Sequence, residues 1–199
     1  MKLLAFIFFF ITSAEGASRH WDEGLHLLGG GGVNVSNYHR KGDVVGGGLH
    51  FKTDVAYSFQ EKWSAETGSF VRFNYLSETF IWDTLLTIGA RRRFGNNFLR
   101  LFVGSAPTVF FSNKSLDVYQ RSDTSRIIYT GPVYGLSWGE FLKSAGGHQD
   151  LFWEISAHYQ SLEKGRGVKD GAVPEVVFTT GKGKIQIYSL SVSFGLLVF

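Results

Sequence analysis

The sequence predicts an all-β protein: a transmembrane, up-and-down antiparallel β-barrel of about eight strands. Three observations predict it. In Lys184–Phe199, Tyr188, Leu190, Val192, Phe194, Leu196 and Val198 fall on one parity, and Ser189, Ser191, Ser193 and Gly195 on the other. That is a strand with one apolar face and one small, polar face. The earlier stretches alternate too, and none beyond the amino-terminal segment has a helical period. Finally, 16% of residues are aromatic, with 25 glycines, 3 prolines and no cysteine, while mean hydropathy is near zero. A helical membrane protein would be far more apolar. A barrel asks instead for aromatic girdles and small lumen-facing residues.

The chain opens with Met1-Lys2, the apolar run Leu3–Ile11, and then Thr12-Ser13-Ala14-Glu15-Gly16. A basic start, a short apolar core and small residues make a secretory signal peptide, expected over residues 1–16. The run is too short for a spanning helix, which takes about 20 residues. Residues 17–199 are then the barrel, with no further domain expected. Candidate strands follow in order. Leu25–Tyr38 is interrupted by Gly29-Gly30-Gly31-Gly32. Val44–Phe59 sets Val45, Leu49, Phe51, Val55 and Tyr57 against His50, Lys52 and Asp54. Ala65–Tyr75 sets Val71 and Phe73 against Glu66 and Arg72. Phe80–Phe94 opposes Trp82, Leu86 and Ile88 to Asp83, Arg91 and Arg93, and a turn at Gly95-Asn96-Asn97 leads on. Phe98 to about Ala106 follows, with Pro107 expected to end its pairing. Ile127–Leu142 and Leu151–Leu162 precede the last strand.

Short connections near Gln60–Trp63, Gly95–Asn97 and Ala145–Asp150 are expected to face the periplasm. Long ones near Phe111–Arg126 and Glu163–Gly183 are expected outside, so that short and long alternate. In lipid every backbone amide must be paired within the protein, so such a sheet must close. Alternation alone also fits a soluble sandwich or lipocalin-like barrel with the polarity reversed. The signal peptide, aromatic excess and loop lengths favour the membrane.

A closing strand that stops on an aromatic residue, here Phe199, resembles that of small bacterial outer-membrane β-barrels such as the OmpA transmembrane domain, OmpX and OmpW. The resemblance implies export to the outer membrane, recognition of Phe199 by the barrel-assembly machinery, and a monomer embedded in outer-membrane lipid and lipopolysaccharide. Phe199 lies on the serine parity, so a bulge or frayed end is expected there. Trp63, Trp82, Trp138, Trp153 and Tyr134, with Tyr38 and Tyr75, are placed for interfacial girdles.

The polar parities predict a lumen containing His50, Lys52, Asp54, Glu66, Arg72, Asp83, Arg91, Arg93, Arg100, Glu154 and His158. An interior of about eight strands is just filled by side chains, and buried charges must pair. The expected lumen is therefore plugged, with a salt-bridge network in place of an apolar core. The glycines at 29–32 and 46–48 thin the wall. They imply either an acyl-chain groove or lateral opening, or else room for Phe70, Phe102 or Phe152 from across the lumen or strong local coiling.

Glu154, Ser156 and His158 share one strand face, which invites a hydrolase reading. Any lumen-facing strand would show the same pattern. His158-Tyr159-Gln160-Ser161, followed later by Gln186, also resembles the end of the lipid A deacylase barrel PagL, which carries His-x-Ser-Asn and a Glu on the last strand. Here the spacing is His-x-x-Ser, the Asn is absent and Gln186 stands where the acid would fall. His158 and Ser161 should then lie on opposite faces. Without cysteine there is no disulfide or thiolate site. No metal, cofactor or nucleic-acid partner is expected, and the net charge of +3 is mild and dispersed. The expected role is structural or surface-interactive. A lipid A-modifying enzyme, or a small transporter of apolar molecules, is the alternative. A basic loop over residues 163–184 could meet lipopolysaccharide phosphates, and its piece Val173–Phe178 could extend the last two strands as a hairpin.

Overall fold

The structure, a computed structural model, describes residues 24–40, 42–60, 62–76, 79–110, 126–142, 151–169, 175–180 and 184–198. The predicted signal segment, Phe199, the whole of the 111–125 connection and the expected short connection at 145–150 lie outside these residues. The strands are β1 (Gly24–His39), β2 (Asp43–Gln60), β3 (Trp63–Leu76), β4 (Thr79–Phe94), β5 (Asn97–Phe110), β6 (Arg126–Leu142), β7 (Leu151–Leu162), β8 (Lys164–Lys169), β9 (Glu175–Thr180) and β10 (Ile185–Leu197). All pairings are antiparallel. The order β5-β4-β3-β2-β1-β10-β7-β6, with β5 returning to β6, closes an eight-stranded barrel.

Alternation built these strands, and burial follows it. On β2, Val45, Leu49, Phe51 and Tyr57 are exposed, while His50, Lys52 and Asp54 are buried between them. The outer wall is apolar and the interior holds the charges. This is the reverse of a soluble sandwich or lipocalin and suits a wall against hydrocarbon. Gly95, at φ 67°, makes the β4–β5 turn in the left-handed region that glycine enters without a steric cost.

β8 and β9 prolong β7 and β10 beyond the barrel as a hairpin, as the Val173–Phe178 piece suggested. Its inner strand β8 also pairs with the start of β6, from Arg126↔Val168 to Thr130↔Lys164. β7 takes over as the partner of β6 at Val133↔Gln160. Between these pairings β6 spends Gly131 and Pro132 while the facing chain spends Ser161, Leu162 and Glu163. One extra residue is a bulge. Gly131 is needed there, because a Cβ on it would lie 1.8 Å from the Ser161 carbonyl oxygen.

Four expectations change. Pro107 does not end its strand: β5 runs on to Phe110, with Pro107 opposite Thr130 of β6. The missing N–H is tolerated because the β4–β5 pairing is interrupted between Asp83↔Thr108 and Leu86↔Ser105. Connection lengths do not alternate throughout, since β1–β2 and β3–β4 are joined by a few residues at the end opposite the Gly95 turn. Tyr38 is not in a girdle but fully buried inside. The interior, finally, is not charge alone. Leu28, Ala56, Phe98, Phe141, Phe152 and Leu197 cluster near the turn end. Tyr38, Leu76, Ile81, Phe110, Tyr129 and Ile187, among others, cluster near the loop end. Phe70, Leu85, Phe102, Ala106 and Val133 lie between.

The glycines have two separate uses. Inward Gly32 and Gly48 let backbones approach, because added Cβ atoms would fall 1.9 Å from the Val192 oxygen and 1.7 Å from the Phe73 oxygen. Others seat rings. Phe102, Phe152 and Phe98 lie over their cross-strand partners Gly135, Gly195 and Gly139. The rings sit on neighbouring strands, not across the lumen over the 29–32 run.

Candidate functional site: the barrel interior and its rim

Buried charge in the interior balances: Lys52, Arg72, Arg91 and Arg100 against Asp54, Glu66, Asp83 and Glu154. The long cations come from β2 to β5. The facing wall of β1, β6, β7 and β10 supplies small groups, Ser36, Ser137, Ser156, Ser189, Ser191 and Ser193, which leave them room. This explains the serine parity of the last strand.

The charges form one alternating chain and one separate pair. Lys52 Nζ donates to Glu154 Oε2 at 2.5 Å and lies 3.4 Å from Asp54 Oδ2. Asp54 Oδ1 accepts from Arg100 Nη2 at 2.9 Å, and Arg100 Nε reaches Glu66 Oε2 at 2.8 Å. Glu66 Oε1 then meets Arg91 Nε at 2.6 Å. Ser156 Oγ donates to Glu154 Oε1 at 2.8 Å. Nearer the loop end, Arg72 Nη2 pairs with Asp83 Oδ2 at 2.8 Å. The same guanidinium donates to Ser189 Oγ at 2.7 Å and Gln160 Oε1 at 3.2 Å, and contacts His158. Gln160 Nε2 continues to Thr108 Oγ1 at 2.7 Å. Most of these carboxylates have more than one charged or polar partner, as burial demands. Arg93 is an exception to the expected network. It sits half-buried at the Gly95 turn, donates to the Gly95 carbonyl at 3.4 Å and lies over the Phe141 ring.

The weak catalytic candidates are not assembled into a site. Ser156 donates to Glu154, which also accepts from Lys52, whereas His158 contacts Arg72 instead. His158 and Ser161 face opposite sides, since Ser161 is paired with outward Gln186 and His158 with inward Ser189. Gln186 Nε2 donates to Tyr159 Oη at 2.9 Å. Sequence reasoning missed a different serine–imidazole contact, His50 Nε2 to Ser193 Oγ at 2.7 Å. His50 is stacked on Phe70 with centroids 4.6 Å apart. Among the described residues its Nδ1 has no hydrogen-bond partner, so nothing orients it as a base. Shared inward parity was the only signal that could have paired them.

Outside, Trp63, Trp82, Trp138 and Tyr134 are exposed on the wall. Trp153 is half-buried, packs edge-on against Trp138 at 4.8 Å and donates to Glu140 Oε2 at 3.3 Å. At the loop end, Arg166, Lys169 and Lys184 are exposed beside Glu163. Among the described residues β9 pairs with β8 alone, so its other edge is open.

No protein-family model and no curated protein matches this chain. Among solved structures, it is similar to Ail, the attachment invasion locus protein of Yersinia pestis, with TM-score 0.55 and 14% identity over 88% of this chain and 99% of that one. The complex of Ail with the heparin analogue sucrose octasulfate gives 0.56 and 11% over the same shares. Neisserial surface protein A gives 0.47 and 10% over 87% and 99%. At these identities the likeness is one of fold: an eight-stranded barrel of the kind found in bacterial outer membranes.

Proposed function

We propose that this chain is a monomeric outer-membrane barrel with a closed lumen that acts by surface interaction, binding an anionic partner at the sheet extension of β6, β8 and β9. Export by a cleaved signal peptide at residues 1–16 and assembly through Phe199 belong to the same reading. The observation that carries it is the extension itself. It prolongs the wall at the loop end, offers an open strand edge, and exposes Arg166 and Lys169, with Lys184 exposed just before β10. Open edges and basic groups are what extended or anionic partners bind. The interior supports the same conclusion from the other side. A solute would have to cross an apolar cluster at each end and a fully paired ion chain between them. The lipid A-modifying reading draws no support from the placement of His158 against Arg72, with Ser161 on the other face.

Heparin is the natural first probe, since Ail is known with a heparin analogue. The folded protein should bind a heparin column and elute with added salt. The triple variant Arg166→Ala, Lys169→Ala, Lys184→Ala should elute earlier, because each lost cation weakens a polyanion contact and its salt dependence. Identical elution of the two proteins, both folded, would refute the site.

A further inference from the structure

Three consecutive arginines close β4, and the barrel uses each differently. Arg91 is inside, in the ion chain. Arg93 sits at the turn. Arg92 points outward and is exposed. Its guanidinium carbon lies 5.2 Å from the centroid of the Trp63 ring and 4.9 Å from that of Phe94. Trp63 is its cross-strand partner on β3, and Phe94 is two residues along on the same face. The outward neighbour on β5 is Leu99. Among the described residues no carboxylate is ion-paired with Arg92. The girdle carboxylate, Glu140, accepts instead from Trp153.

A cation is therefore fixed on the apolar wall, inside the aromatic band of the turn end, with no carboxylate paired to it among the described residues. Charge at that depth calls for an anion or for water. A planar guanidinium presents parallel donors that match a phosphate, and aromatic faces hold it in one orientation. Lys62, exposed in the adjoining turn, adds a second cation at the same corner, its carbonyl taking the Arg93 amide at 2.8 Å. We propose that Arg92, Trp63 and Phe94 form a binding site for the phosphodiester headgroup of a membrane glycerophospholipid. The guanidinium takes the phosphate oxygens, and the two rings pack against the glycerol and upper acyl chain. The site is distinct from the basic rim at the opposite end of the barrel.

The test is native mass spectrometry of protein folded into mixed glycerophospholipid and lipopolysaccharide and released in mild detergent. Wild type should retain one glycerophospholipid. Arg92→Gln should lower the lipid-bound fraction by about fivefold, and Arg92→Lys should fall between, keeping the charge without the fork. Leu99→Ala should match wild type. A heat-shifted band on gels establishes that each variant is folded. Equal retention by wild type and Arg92→Gln would overturn the proposal, as would lipopolysaccharide in place of glycerophospholipid as the lipid that Arg92→Gln loses. Should Arg92→Gln not fold, equal retention by Arg92→Lys and wild type overturns it.

Discussion

Gly48→Ala is expected to prevent barrel formation. The added methyl would stand 1.7 Å from the Phe73 carbonyl oxygen and 2.9 Å from the Asn74 Cα, and both obstacles are backbone. No rotamer change relieves a clash with a neighbouring strand. β2 and β3 would have to separate at Gly48↔Asn74, where the register pairs them. Hydrogen bonds lost there could not be replaced by water within a bilayer. The cost should exceed about 4 kcal/mol, the range reserved for gross steric or polar failure. Gly29→Ala is the control, since nothing lies within 4 Å of its added Cβ. Gel mobility before and after boiling reads the result. A folded band for Gly48→Ala as strong as that for Gly29→Ala would show that the strands can relax.

Arg100→Met should be the most damaging single change to the ion chain. Arg100 joins Asp54 at 2.9 Å to Glu66 at 2.8 Å. Its removal leaves Lys52 alone for Asp54 and Glu154, and Arg91 alone for Glu66. Breaking a buried pair from one side costs about 3–5 kcal/mol. The Arg72–Asp83 pair supplies the contrast. Arg72→Met should destabilise the barrel, and Arg72→Met with Asp83→Leu should recover part of the loss, because the unpaired carboxylate goes with its partner. Urea unfolding in lipid vesicles, followed by tryptophan fluorescence, measures both. Equal stability of Arg100→Met and wild type would mean that water reaches the chain and screens it.

Strand positions were legible because one period of two runs through each of them. Leu151–Leu162 is found where its alternation placed it, and the parities correctly separated His50, Lys52 and Asp54 from Val45, Leu49 and Phe51. Parity says which residues share the interior, not which of them touch. Lys52 meets Glu154 across 102 positions of sequence, a contact set by strand order and stagger. The apolar clusters lie on the same inward parity as the charges. Carrying the inward parity to the strand ends yields Leu28, Tyr38, Phe98, Phe152 and Leu197. Tyr38 shares this inward parity, which outweighs the general abundance of tyrosine in girdles. Pro107 misled for a physical reason. A proline denies one hydrogen bond, and it was tolerated here where the β4 side of the ladder is already open. The hairpin of β8 and β9 was foreshadowed by one apolar piece, but its pairing with β6 depends on the bulge at Ser161–Glu163, which no pattern announces.

Conductance across a planar bilayer tests the central claim most directly. With apolar clusters at both ends and charge paired between them, the folded protein should insert without producing current steps at any applied voltage that the bilayer withstands. Stable, reproducible steps from protein with the heat-shifted mobility of a folded barrel would contradict it. They would move the function from the rim into the lumen.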